Sequence, residues 1–126
     1  MADWHLEHAD KYFRDHGYYE KKHPHELAAV LGNLDTYFKA LKVSASPLQV
    51  TGGFIHHESD GIKAIDQKGS ASKVKLQQTR LYIYPDQGTS TLHVLTIGDK
   101  TSQRDDIKVC REFVKKLRED RDEKII

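Results

Sequence analysis

Apolar residues recur at helical intervals in two stretches of the chain. From Pro24 to Leu41 they follow one another three or four residues apart, which predicts a helix with one apolar face. Proline suits the first turn of a helix, and Ser44–Pro47 ends the pattern. A second such pattern predicts a C-terminal helix from about Asp105 to Arg121. A helix with sparser apolar positions is predicted from an N-cap at Asp3 to about Asp15.

Between these helices the pattern changes to the two-residue period of β-strands. The strongest signal runs from Val74 to Ile97, with turn residues at Pro85–Gly88. Shorter extended segments are predicted at 48–50, 54–55 and 61–66. The predicted order of elements is therefore helix, helix, strands, helix.

This order predicts an α+β fold with two N-terminal helices, an antiparallel meander sheet of about four strands and a C-terminal helix. We expect a single domain over residues 1–126, made of an N-terminal helical extension (1–23), a core (24–121) and a frayed tail (122–126). The two helices with apolar stripes are predicted to pack on one sheet face and to leave the other open. The N-terminal helix would cover part of the sheet or an edge strand.

The composition bears on the compartment of the protein and on the kind of binding site it can carry. The chain has 126 residues and one cysteine, Cys110, so no internal disulfide can form, which favours a reducing compartment. No stretch approaches the ~18 apolar residues of a membrane span, and the N-terminus lacks signal-peptide features, so we expect a cytoplasmic protein. Lys and Arg number 20 against 19 Asp and Glu, so any basic site is a local patch.

Strand parity indicates one candidate surface. If Leu81 and Ile83 face the core, then Arg80, Tyr82 and Tyr84 line the open face. Arginine binds phosphate with its planar fork, and tyrosine stacks on bases, so this face suits single-stranded RNA. Exposed tyrosines also pair across strands for purely structural reasons, so the stripe alone leaves both interpretations open.

The segment Ile97–Ile107 joins a strand to the last helix. Gly98 permits a sharp turn, Lys100 follows at the end of the strand, and Asp105 or Asp106 is predicted to cap the helix. Taken as a whole, this segment resembles the HigB-like branch of the RelE/ParE superfamily of toxins. Gln78–Tyr84 and Asp60–Ile65 resemble two strands of that superfamily, and Leu31–Leu41 resembles the helix before its sheet. Together the resemblance covers roughly residues 27–121.

The resemblance implies a RelE-like fold and the toxin of a type II toxin–antitoxin pair. Such a toxin cuts messenger RNA on the ribosome, where the RNA's own 2′-OH attacks the adjacent phosphate. It also implies a cognate antitoxin, the ribosome and mRNA as partners, with no cofactor. Arg80 and Lys100 would stabilise the phosphate, and Lys63 would be the basic residue of the earlier strand.

Other residues complete the predicted site. His56 and His57 are candidates for proton transfer, because histidine titrates near neutral pH. Tyr82, Tyr84, Lys75 and Arg104 are candidates for RNA binding. The N-terminal histidines lack the spacing and partners of a zinc site, so no metal is predicted. The alternative function is a non-catalytic domain of the same fold that binds protein or nucleic acid.

Overall fold

A five-stranded mixed sheet lies between helices on both of its faces. The computed structural model describes residues 3–44, 46–69 and 75–125. The helices are α1 (Asp10–Lys22), α2 (Pro24–Val43) and α3 (Gln103–Ile125). The strands are β1 (His5–His8), β2 (Ile55–His57), β3 (Lys63–Ile65), β4 (Thr79–Asp86) and β5 (Thr91–Asp99), in the spatial order β1-β5-β4-β3-β2.

The α+β class is as predicted, but the sheet is not a pure meander. Strands β2, β3, β4 and β5 pair antiparallel with one another in that order. Strand β1 pairs parallel to the other side of β5, with His5 opposite Thr91 and His8 opposite Val94. The predicted helix over Asp3–Asp15 was wrong in its first half, because His5–His8 forms this edge strand. Helix α1 begins at Asp10 and continues through Gly17 to Lys22, beyond the predicted end near Asp15.

The N-terminal segment contributes to the main core. Trp4, Tyr12 and Tyr19 are buried in the same apolar cluster as α2. Helix α2 follows its predicted bounds closely, with Pro24 in the first turn and Val30, at 0% exposure, among its buried residues. Residues 4–22 are thus part of the packed domain rather than an extension from it.

The two faces of the sheet are covered by different helices. On the first, which we name the α2 face, Ile65, Leu81 and Ile83 pack in the cluster that contains the buried side of α2. On the second, the α3 face, Tyr82 and Tyr84 pack with Cys110 and Val114. The prediction that both helices share one face and leave the other open was therefore wrong.

Several element boundaries also differ from the predicted ones. Residues Pro47–Gln49 form a 3₁₀ turn instead of a strand, and Pro85 and Asp86 still belong to β4. Val74, the predicted start of the long strand, lies outside the described residues, and β4 begins at Thr79. Helix α3 begins at Gln103, before either predicted cap residue, and continues through most of the predicted frayed tail to Ile125.

Strand parity on β4 is kept despite an irregularity in its partner. Tyr82 pairs with Thr96 and Ile83 pairs with Val94, so Leu95 is an extra residue in β5. Such a bulge bends the strand locally while the flanking residues keep their faces. Arg80, which pairs with Gly98, therefore lies on the α3 face with Tyr82.

Candidate functional site

The tyrosines predicted to bind RNA are buried. Tyr82 is 0% exposed and Tyr84 is 9% exposed, because α3 packs over them. Burial raises the pKa of Tyr82, so its phenol stays neutral at physiological pH. The prediction that these two rings form an open stacking surface was wrong.

Lys63 points away from Arg80. It pairs with Ile83 and so lies on the α2 face, where it is 3% exposed. Its Nζ donates a hydrogen bond to the Pro47 carbonyl at 2.6 Å and lies 5.3 Å from the centroid of the Tyr37 ring. Burial lowers the pKa of this amine. Lys63 therefore does not converge with Arg80, and of the predicted catalytic residues only His57, its cross-strand partner, shares its face.

The remaining predicted cations are near one end of the sheet or exposed on its rim. Gly98 pairs with Arg80, and Lys100 follows two residues later in an exposed turn. Arg104 is exposed in the first turn of α3, and Lys75 is exposed ahead of β4. Arg80 and Lys100 thus share the same end of the β4–β5 ladder, as the predicted site requires.

His56 forms a close pair with a carboxylate. It pairs with Ala64 across the β2–β3 ladder and so lies on the α3 face. Its Nε2 lies 2.6 Å from Asp66 Oδ2, and the two side chains are 34% and 16% exposed. The other oxygen, Asp66 Oδ1, accepts a hydrogen bond from the Lys68 backbone N–H at 2.8 Å. The carboxylate is thereby fixed, and it orients the imidazole.

An arginine–glutamate pair lies on the same face. Glu58 follows His56 by two residues in extended backbone, and its Oε1 lies 3.6 Å from Arg80 Nη1. Arg80 Nε is buried and has no hydrogen-bond partner among the described residues. We name His56, Glu58, Asp66 and Arg80 the His56 cluster.

The cluster has the groups that phosphate-ester chemistry requires. An imidazole held by a carboxylate accepts a proton, and because Nε2 faces Asp66, Nδ1 is the nitrogen left to do so. A guanidinium stabilises a phosphate oxyanion, and Arg80, whose side chain is 17% exposed, provides one beside Glu58. His57 pairs with Lys63 and lies on the opposite face, so it is separated from this cluster.

The buried polar groups beneath the cluster are not nucleophiles. Burial raises the pKa of the Cys110 thiol to about 12, which keeps it protonated. Burial also raises the pKa of Asp106, whose Oδ2 accepts a hydrogen bond from Ser102 Oγ at 2.7 Å. The chemistry of this face therefore belongs to the partly exposed cluster.

Sequence reasoning missed the two acidic members of the cluster. Asp66 precedes a turn, and the bond that its Oδ1 accepts from the Lys68 N–H is typical of turns. The available signal was the period-two spacing of His56 and Glu58, which places both on one face of an extended segment.

Three further observations bear on the class of site. Over residues 3–44, 46–69 and 75–125, no group of three or more His, Cys, Asp or Glu side chains is arranged to hold a metal ion. In the same described ranges no helix has the length and apolar character needed to cross a membrane. No protein-family model matches the chain, and neither a curated protein nor a solved structure matches it.

Proposed function

We propose that the protein is the toxin of a type II toxin–antitoxin pair and that it cleaves mRNA on the ribosome through the His56 cluster. The observation that carries this proposal is the 2.6 Å contact between His56 Nε2 and Asp66 Oδ2 on the sheet face that also holds Arg80. The resemblance of Ile97–Ile107 to HigB-like toxins supplies the substrate class. The cluster takes the place of the set Lys63, Arg80 and Lys100, because Lys63 lies on the other face.

In the proposed reaction His56 Nδ1 takes the proton of the RNA 2′-OH. The 2′ oxygen attacks the adjacent phosphorus, the bond from phosphorus to the 5′ oxygen breaks, and a 2′,3′-cyclic phosphate forms. The imidazolium returns its proton to the leaving 5′ oxygen. Arg80 stabilises the negative charge that develops on the phosphate, and the exposed Lys100 and Arg104 hold the flanking backbone.

The alternative is a non-catalytic domain that binds protein or nucleic acid. Two observations favour it: Glu58 already engages Arg80, and α3 covers much of the face on which the cluster lies. Under this alternative the His56–Asp66 contact joins β2 to the turn after β3 and serves packing alone. The two functions differ in whether the cluster is needed for RNA cleavage.

An induced-expression test separates them. Wild type, His56→Ala and Arg80→Ala are expressed without an antitoxin, and growth and new mRNA 5′ ends are followed. His57→Ala is the matched control, because it removes a neighbouring histidine from the opposite face. The proposal expects growth arrest and cuts within translated regions for wild type and the control, and neither for the two cluster variants. Normal growth with folded wild-type protein would leave the binding domain as the function.

A further inference from the structure

A second candidate site lies at the end of the sheet where Lys63 begins β3. A cavity of about 490 Å³ opens where β2 and β4 end and β3 begins, and the buried Lys63 lines it. His57, Arg118 and Arg121 line the same cavity, as does one edge of Tyr84. Its lining overlaps the cluster only at Glu58. His56, Asp66 and Arg80 do not line the cavity, so it is distinct from the groups that act in the proposed cleavage.

Lys63 is unusual among the charged side chains of the protein. It is 3% exposed, and its amine has one hydrogen bond, to a neutral carbonyl, and no ion pair among the described residues. An ammonium group has three N–H donors, and a buried charge without a counter-ion is costly. The other buried charged side chains include Asp86, which is paired with Arg121, and Asp106, which is bonded to Ser102. Lys63 alone of these three lacks a charged or hydroxyl partner within the described residues.

The chemistry of the cavity selects an anion with several acceptor oxygens. Cationic or imidazole side chains line it from three elements: His57 from β2, Lys63 from β3, and Arg118 and Arg121 from α3. Glu58 and Asp86 oppose them, so positive groups are in excess. A carboxylate offers two oxygens, whereas a phosphate monoester offers three and carries about −1.5 to −2 charges at pH 7. Phosphate therefore matches the donors better than a carboxylate does.

The size of the cavity indicates a ligand larger than the phosphate ion. Cavities of ~300–1,000 Å³ hold small organic molecules, and this one falls within that range. Tyr84, which is 9% exposed, also lines the wall and adds an apolar contact for the organic part of such a ligand. Arg118 and Arg121, with side chains 52% and 41% exposed, lie at the rim and can turn toward a ligand.

We propose that this cavity binds a small phosphate-bearing molecule of nucleotide size, with the Lys63 amine as its innermost ligand and Arg118 and Arg121 at its mouth. The site is distinct from the proposed nuclease site, since His56, Asp66 and Arg80 do not line it. Binding supplies Lys63 with the counter-ion that the protein itself does not provide among the described residues. The Arg121–Asp86 and Arg118–Asp60 contacts then compete with the ligand for the rim.

Isothermal titration of the full-length protein tests the site with a nucleoside 5′-monophosphate, with inorganic phosphate and with the unphosphorylated nucleoside. The proposal expects one saturable site for the nucleotide and at least tenfold weaker binding of the nucleoside. If inorganic phosphate binds as tightly as the nucleotide, the phosphate group alone supplies the affinity, and this result still supports the proposed site. A nucleoside that binds as tightly as the nucleotide would overturn it, as would the absence of any binding.

Two variants and a control locate the binding. Lys63→Met keeps the aliphatic stem and removes the charge, and Arg118→Gln removes the charge of a rim residue whose side chain is 52% exposed. Each is expected to weaken nucleotide binding, by at least tenfold for Lys63→Met. Arg111→Gln is the control, because Arg111 also contacts Asp60 from α3 but does not line the cavity. Wild-type affinity in both Lys63→Met and Arg118→Gln would refute the site, whether or not the protein cleaves RNA.

Discussion

The carboxylate of Asp106 occupies the space that a side chain on Gly98 would need. A Cβ placed on Gly98 would lie 1.9 Å from Asp106 Oδ2 and 2.4 Å from Ser102 Oγ. The absence of a side chain at Gly98 thus lets the first turns of α3 approach the end of β5. Because Gly98 pairs with Arg80, this contact also fixes where α3 begins relative to the His56 cluster.

Gly98→Ala is expected to lower the free energy of unfolding by ~1–3 kcal/mol, which is the usual cost of overpacking. The clash falls on Asp106, which is 5% exposed and cannot turn into solvent freely. Urea denaturation followed by circular dichroism measures the change. Gly32→Ala in α2 is the control: nothing lies within 4 Å of its added Cβ, so helix propensity should make it neutral or stabilising. Equal stabilities for Gly98→Ala and wild type would contradict the contact.

Asp106→Asn is expected to remove a pH dependence of stability. Burial raises the pKa of Asp106 above its ordinary 3.8, so between those two values the folded state binds more protons than the unfolded state. Wild-type stability therefore falls as pH rises through this window. The asparagine variant lacks that slope, so its stability relative to wild type should be greater at pH 7 than at pH 3. A relative stability that is the same at both pH values would contradict the raised pKa.

The sequence predicted the elements whose own residues carry a clear periodic pattern. Helix α2 was found because apolar residues from Leu27 onward repeat on one face, and the alternation Leu81–Ile83 identified β4. Strand β1 was missed because His5–His8 has no apolar alternation of its own. It is stabilised by pairing with Thr91–Val94, more than 80 residues away in the chain.

The sequence pattern also did not indicate on which face of the sheet α3 packs. An apolar stripe such as Cys110 and Val114 shows that a helix packs, but not on which face. Tyr82 and Tyr84 suit either an exposed or a buried strand face, so they gave no signal against an open surface. The predicted site was affected in the same way. Lys63 on β3 and Arg80 on β4 point to opposite faces of the sheet, which depends on how the two strands pair.

Asp66→Asn is expected to reduce RNA cleavage by ~10²-fold or more, within the range typical of general acid–base catalysis. The amide still accepts the Lys68 N–H bond but presents no negative charge to His56. The loss should appear in kcat rather than in KM, because Asp66 orients His56 and makes no contact with RNA in the proposed site. Single-turnover cleavage on ribosomes with a defined mRNA measures it.

The control for this variant is Asp35→Asn, which removes an exposed carboxylate paired with Lys39 on α2. It should cleave as wild type does. Full activity in Asp66→Asn would show that the His56–Asp66 contact serves packing alone, and would favour the non-catalytic alternative.

Lys63→Met is expected to keep RNA cleavage and to alter stability in a pH-dependent way. Burial lowers the pKa of Lys63 below its ordinary 10.5, so between those two values the unfolded state binds more protons than the folded state. Wild-type stability therefore rises with pH through that window, and the methionine variant lacks this rise. Its stability relative to wild type should thus be greatest at neutral pH and should decline towards pH 10.

Removal of the Lys63 amine does not leave the Pro47 carbonyl without a hydrogen bond, because this carbonyl also accepts the Val50 N–H at 3.3 Å. The methionine fills the same volume beside Tyr37, so the variant should fold at pH 7 at least as stably as wild type. Lys22→Met on exposed α1 is the control for replacement of any lysine. Thermal unfolding at pH 7 and pH 10 measures both variants. A Lys63→Met protein that folds normally yet no longer cleaves RNA would return Lys63 to the catalytic set and contradict the separation of the two faces.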